Sequence, residues 1–220
     1  MTFSIAARCA RTAMLGAAVA SSSIAVGSRC LFARAGIGAA LTQHRTDPTL
    51  GRMALDILAR GKGAQETIDT LVVAADRNRG WRQLAVIDLT GRTAHYSGSN
   101  IGPAHAAAVR PGAIAIGSML HSKQVPQAEV DAFAEDIRPH LGERLLRGLE
   151  GGLDAGGDAA PIRSAALLVV YRDLFPLVDL RVDDDDAPIA ALRRLWQAYA
   201  PQIDYFVKCA LDPDRADLPR

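Results

Sequence analysis

A chain of 220 residues is long enough to bury a sizeable core and fits one ordinary domain, 1–220. With 49% hydrophobic and 22% charged residues, its composition is that of a globular rather than a disordered protein. Its 25 Lys and Arg balance 24 Asp and Glu, so there is no basic excess of the kind that nucleic-acid binding draws on, and no nucleic-acid partner is expected.

The chain opens on a strand pattern. From Thr2 to Arg8, Thr2, Ser4, Ala6 and Arg8 fall on one face and Phe3, Ile5 and Ala7 on the other. Arg8 and Arg11 followed by Ala13 to Ala20 imitate a secretory signal. Gly16 interrupts that run, Ser21 to Ser23 end it, and it is far too short to span a membrane. Paired strands are the expectation, with no membrane partner. Ile24 to Ala33 reads as a further short apolar run, and Gly36-Ile37-Gly38 introduces Ala39 to Gln43.

The period changes after Pro48. Leu50, Ala54, Ile57 and Leu58 mark a helix closed by Gly61, and Ile68, Leu71, Val72 and Ala75 mark a second. Leu84 to Asp88 and Thr93 to Ser97 flank Thr90-Gly91 as a hairpin, and Ala113 to Ser118 is another strand. Pro126 opens a helix carrying Val130, Phe133 and Ile137; Pro139 starts the next, with Leu141, Leu145 and Leu149. Gly151 to Gly157 reads as a flexible connection at a pocket rim. Ala165 to Val170 suits a strand covered on both faces, Val178 to Val182 a last strand, and Ile189, Leu192, Trp196 and Tyr199 a closing helix. Strands and helices come in blocks rather than strict alternation, which favours stacked sheets with helices outside over a doubly wound sheet.

Few motifs carry chemistry. Cys9, Cys30 and Cys209 share no ligand spacing, so a reduced, cytoplasmic setting is expected. The five histidines form no metal-binding pair, and Asp183 to Asp186 suit a helix N-terminus better than a cation. The most informative feature is Met1-Thr2. An initiator methionine before a small residue is generally removed, which would make Thr2 an N-terminal residue with a hydroxyl and an α-amine together. Such an amine titrates at about 7.7–8, close enough to neutrality to take the hydroxyl proton and activate the oxygen as a nucleophile. The bland alternative is a threonine that merely begins a strand. Ser4 shares its face, one strand repeat away.

Several stretches in order resemble a bacterial family known as a domain of unknown function and grouped with the Ntn (N-terminal nucleophile) hydrolases. They are Met1 to Arg8, Gly16 to Ser21, Ala25 to Gly27, Ala33 to Ala39, Thr42-Gln43, Arg82-Gln83, Ala155 to Asp158, Arg163 to Val169 and Asp179 to Asp184. The resemblance implies an α+β fold, a four-layer αββα sandwich that is Ntn-hydrolase-like, with Thr2 as nucleophile. The chain departs from the pattern at Cys9-Ala10, where an acidic-proline turn is usual, and at Ala104-His105, where a tryptophan segment is usual. Ser118 stands where an asparagine follows glycine, which would remove an oxyanion donor.

The expected function is therefore hydrolysis of a C–N amide-type bond in a small-molecule substrate, with Thr2 catalytic and Ser4 assisting. Gln43 and Ser118 are candidates for orienting or oxyanion contacts, and Arg34, Arg82 and Arg163 for holding a substrate carboxylate bidentately. No cofactor and no metal are called for. The alternative is a non-catalytic sandwich domain that binds a small ligand or self-associates as a homo-oligomer. A metal-dependent hydrolase built on the histidines and the Asp183 cluster is a third, weaker option.

Overall fold

A computed structural model describes residues 1–216. Ten strands form two antiparallel sheets: β1 (Thr2–Arg8), β2 (Leu15–Ser21), β3 (Leu31–Arg34), β4 (Gly38–His44), β5 (Arg82–Asp88), β6 (Thr93–Ser97), β7 (His105–Arg110), β8 (Ala113–Ser118), β9 (Ser164–Val170) and β10 (Val178–Val182). The six-stranded sheet runs β10-β9-β2-β1-β8-β7 and the four-stranded sheet β3-β4-β5-β6. The expected pairing of the first two strands holds, with Thr2 opposite Ser21 and Arg8 opposite Leu15.

The helices are α1 (Gly27–Cys30), α2 (Pro48–Ala59), α3 (Ala64–Ala74), α4 (Val125–Ala134), α5 (Leu141–Asp154), α6 (Pro188–Tyr199) and α7 (Ile203–Leu211). Local chemistry starts the two best-marked ones. Asp47 accepts the Thr49 N–H at 3.0 Å ahead of Pro48 at the first helical position of α2. His140, not Pro139, caps α5, its Nδ1 accepting the Gly142 N–H at 3.0 Å.

Alternation divides the apolar residues of β1 and β2 between two cores. Phe3, Ile5, Ala18 and Ala20 join Leu145, Leu149 and Leu192 beneath α4, α5 and α6. Ala6, Ala17 and Val19 meet Leu41, Ala85, Ile87 and Ile116 in the space between the sheets. A third core lies under α2 and α3, where Leu50, Ala54, Leu58, Ile68 and Leu71 cover Leu84 and Val86. Full burial of each large side chain here contributes about 1.5–3 kcal/mol. The chain is thus a mixed α+β protein with two antiparallel sheets and helices.

Three local readings need correction. Ile24 to Ala33 is not one run: Ala25 is left-handed (φ 53°) and α1 intervenes before β3. Gly151 and Gly152 are not a flexible connection but the end of α5. A Cβ on Gly152 would stand 2.7 Å from the Glu129 side chain and 3.1 Å from the Phe3 ring, so glycine there permits close helix–sheet packing. Ile137 lies beyond α4 and is exposed. Strand β7 and helix α7 were not anticipated.

Candidate active site

The registers align five polar residues in one rank across the six-stranded sheet. Thr2 stands opposite Ser21 on one side and Ser118 on the other, Ser164 lies across from Ser21, and His105 across from Ser118. Directly opposed residues share a face. This face continues into the core between the sheets through Ser4, Val19, Ile116 and Ala166. The rank therefore closes one end of the inter-sheet space with hydroxyl groups.

Each hydroxyl has a defined place. Thr2 Oγ1 and Ser21 Oγ are 3.1 Å apart, and both donate to the carbonyl oxygen of Met1. Ser21 Oγ also pairs with Ser23 Oγ at 2.9 Å and accepts the Ser23 N–H. Ser164 Oγ donates to the Ser23 carbonyl and accepts the Val26 N–H, pinning the loop after β2. Ser118 Oγ is buried without a hydrogen-bond partner, a state that ordinarily costs about 1–3 kcal/mol.

From the other sheet come two buried glutamines, registered against each other on β4 and β5. Ser4 Oγ donates to Gln43 Oε1 at 2.7 Å, and Gln43 Nε2 donates to Gln83 Oε1 at 2.8 Å. Gln83 Nε2 in turn reaches the Gly117 carbonyl at 3.0 Å. This relay ties the end of β1 to the facing sheet.

A cavity of about 790 Å³ is lined by Met1, His44, Trp81, Ile101, Met119 and Leu120 among others, so it adjoins the rank through Met1 and Met119, the chain neighbours of Thr2 and Ser118. Two of its wall residues carry left-handed backbone, His44 at φ 72° and Met119 at φ 59°, immediately after Gln43 and Ser118. Such conformations in non-glycine residues are uncommon and collect at functional sites. The His44 ring stacks on Trp81 at 6.2 Å between centroids, and burial together with the positive N-terminus lowers its pKa.

Two buried carboxyls approach from the helix side. The Asp158 Oδ2 accepts the Ser22 N–H at 2.9 Å while Oδ1 has no partner. Burial pushes its carboxyl up to about 7, against the lowering pull of the Ser22 N–H and the positive N-terminus. Gly157, at φ 57° and against the Phe3 ring, lets the chain turn sharply enough to deliver Asp158 there. Glu129 is fully buried with neither carboxylate oxygen bonded; burial first, and the Asp158 charge second, hold it well above the usual carboxylate range.

The structure brings Thr2, Ser4, Gln43 and Ser118 together. Arg82 is adjacent, paired in register with His44, its guanidinium donating to the Arg45 carbonyl and lying 3.8 Å from Asp47. Arg163 touches the site by its backbone, donating its N–H to the Ser21 carbonyl, while its side chain goes to Asp184. Arg34 is not brought there: it pairs with Asp56, opposite Gly38, at the far end of β4 from Gln43. Sequence reasoning missed Asp158, Glu129 and Gln83 as site residues. Gln83 and Asp158 entered only as residues of the family resemblance, without a role, and Glu129 carried no signal.

Among the described residues no group of three or more His, Cys, Asp or Glu side chains is arranged to hold a metal ion. Nor is any described helix long and apolar enough to cross a membrane.

Comparison with known proteins gives a family. The model of the family of unknown function DUF1028 matches residues 2–192. Protein SPO2555 from Silicibacter pomeroyi, a crystal structure assigned to the same family, is 32% identical with a TM-score of 0.83, over 92% of this chain and 93% of that one. Anbu (ancestral beta-subunit) from Yersinia bercovieri is 13% identical at a TM-score of 0.45, over 99% and 98% of the two chains. Anbu from Hyphomicrobium sp. strain MC1 is 13% identical at 0.44, over 91% and 95%. No curated protein matches. The chain belongs to the DUF1028 family of unknown function.

Proposed function

We propose that this protein hydrolyses a C–N amide-type bond in a small molecule, with Thr2 as nucleophile once Met1 is removed. Residues 1–220 would act as one Ntn-hydrolase-like domain, a four-layer αββα sandwich, in the cytoplasm. The observation that carries this reading is the Met1–Thr2 junction: Met1 lines the large cavity, and the hydroxyls of Thr2 and Ser21 converge on its carbonyl oxygen. Loss of Met1 would leave a free α-amine beside the Thr2 hydroxyl where Met1 now borders that cavity.

The chemistry follows from the groups around Thr2. The α-amine accepts the Thr2 hydroxyl proton as Oγ1 bonds to the substrate carbonyl carbon. Ser21 Oγ, released from Met1, donates to the oxygen that gains charge, and the unpartnered Ser118 hydroxyl is a second donor in reach of the same rank. Collapse breaks the C–N bond and the leaving nitrogen takes the proton. Water, deprotonated by the same amine, then releases the acid from the Thr2 ester. Ser4, Gln43 and Gln83 are positioning residues that hold the end of β1, while Arg82 and Arg163 are the candidates for gripping a substrate carboxylate.

The apolar lining of the cavity, from Trp81, Ile101, Met119 and Leu120, also suits a ligand-binding domain without catalysis. Turnover assays across small amides with the Met1-free protein separate the two. Hydrolysis that disappears in Thr2→Ala supports the enzyme. Ligand binding without turnover in the wild type supports the binding domain.

A further inference from the structure

At the opposite end of β1 from Thr2 is a second cavity, of about 380 Å³. The turn after β1 (Arg8 to Arg11), the hairpin tips Thr90-Gly91 and Pro111-Gly112, and Ile137 and Arg144 form its walls. Among the described residues, three arginines, Arg8, Arg11 and Arg144, line it and no carboxylate does.

Arg144 is only 6% exposed. Its guanidinium lies on the Phe133 ring at 4.0 Å and donates from Nε to the Phe133 carbonyl at 3.3 Å. Arg8 Nε is buried with no acceptor. Arg11 donates to the Arg138 carbonyl, not to an acid. The nearby carboxylates belong to other arginines: Asp88 to Arg92, Asp131 to Arg110 and Asp136 to Arg138.

A buried guanidinium without a counter-charge is costly, and two more beside it raise that cost by repulsion. Burial pushes the Cys9 thiol up, but bonds from Thr12 and Arg11 and the Arg144 charge bring it below its ordinary value overall. An ionised Cys9 would still offset only one of three positive charges. Three guanidinium groups lining one cavity, two from the turn after β1 and one from α5, suit a tetrahedral oxyanion, with its several acceptor oxygens, better than a planar one.

We propose that this cavity binds a phosphate group, free or as a monoester, between Arg8, Arg11 and Arg144. The site lies apart from Thr2 and does not depend on the hydrolase reading.

Titration calorimetry at constant ionic strength tests it, with inorganic phosphate, phenyl phosphate and acetate as probes. The wild type should take up one phosphate per chain saturably, and the double variant Arg8→Gln/Arg11→Gln should bind at least about tenfold more weakly, because charge-assisted bonds from both forks are gone. Both positions are at least partly exposed, so the fold should survive, as circular dichroism will show; Arg144→Gln is the stricter variant where it folds. Tighter binding of phenyl phosphate identifies a monoester as the ligand, and tighter inorganic phosphate a free ion. No saturable phosphate binding, unchanged affinity in the double variant, or acetate binding as tightly as phosphate would overturn the proposal.

Discussion

Thr2 and Ser21 stand directly opposite each other across β1 and β2, with their hydroxyl oxygens 3.1 Å apart and both bonded to the Met1 carbonyl. That relationship makes Ser21 the nearest side chain able to stabilise charge on an oxygen held where the Met1 carbonyl now lies.

Ser21→Ala should therefore slow amide turnover by roughly 10²-fold, the scale of losing one oxyanion donor. The fold should lose only about 1 kcal/mol, the net worth of a typical hydrogen bond. Parallel kinetics and denaturant unfolding check this; equal activity in the variant would remove Ser21 from the reaction.

Gln43→Ala should destabilise the protein by roughly 2–4 kcal/mol, because it strands the Ser4 hydroxyl and the Gln83 carbonyl and each buried orphan costs about 1–3 kcal/mol. Urea unfolding would show the loss as a lower midpoint with unchanged slope. A neutral result would mean that the two groups find other partners.

Asp158 gives the protein a pH dependence of defined sign. Its folded value of about 7 lies above the ordinary 3.8, so between those pH values the native state holds a proton that the unfolded chain has released. Stability then falls as pH rises from about 4 to about 7, by a few kcal/mol at most. Asp158→Asn, which keeps an oxygen for the Ser22 N–H, should flatten that slope in unfolding curves taken across the window. An unchanged slope would place the titration elsewhere.

Glu129→Gln tests the same region from the other side. The fully buried carboxyl has no bonded oxygen and is raised by burial and by Asp158. A neutral side chain of the same shape should raise the melting temperature at pH 8, where the glutamate must either ionise or hold its proton at a cost. A lower melting temperature at that pH would show that the charge is compensated.

Much of the frame was legible because its signals are local. The alternation of Thr2 to Arg8 marked β1, the Thr90-Gly91 turn marked the β5–β6 hairpin (Gly91 at φ 87°), and Pro48 and its periodic followers marked α2. Strand β7 was not legible because Ala106, Ala107 and Ala108 carry no contrast between faces. Gly151 and Gly152 read as loop because glycine favours loops, and only the Phe3 ring and Glu129 packed against them explain a helix there. The site divided in the same way. Thr2 and Ser4 share a face that the strand period reveals, whereas Ser21 and Ser118 join Thr2 only through the strand registers. Asp158 reaches Ser22, beside the rank, through a left-handed Gly157 after more than a hundred intervening residues, and Glu129 comes within the influence of Asp158 through helix packing. Neither path has a sequence period.

Thr2 is the proposed source of the bond-forming oxygen. Protein freed of Met1, as verified by intact mass, should be treated with an amide-directed electrophile and its adduct located by tandem mass spectrometry. One adduct per chain is expected on Thr2, absent from Thr2→Ala and retained in Ser4→Ala. An adduct on Ser4 or Ser21, or labelling of Thr2→Ala as complete as in the wild type, would contradict it.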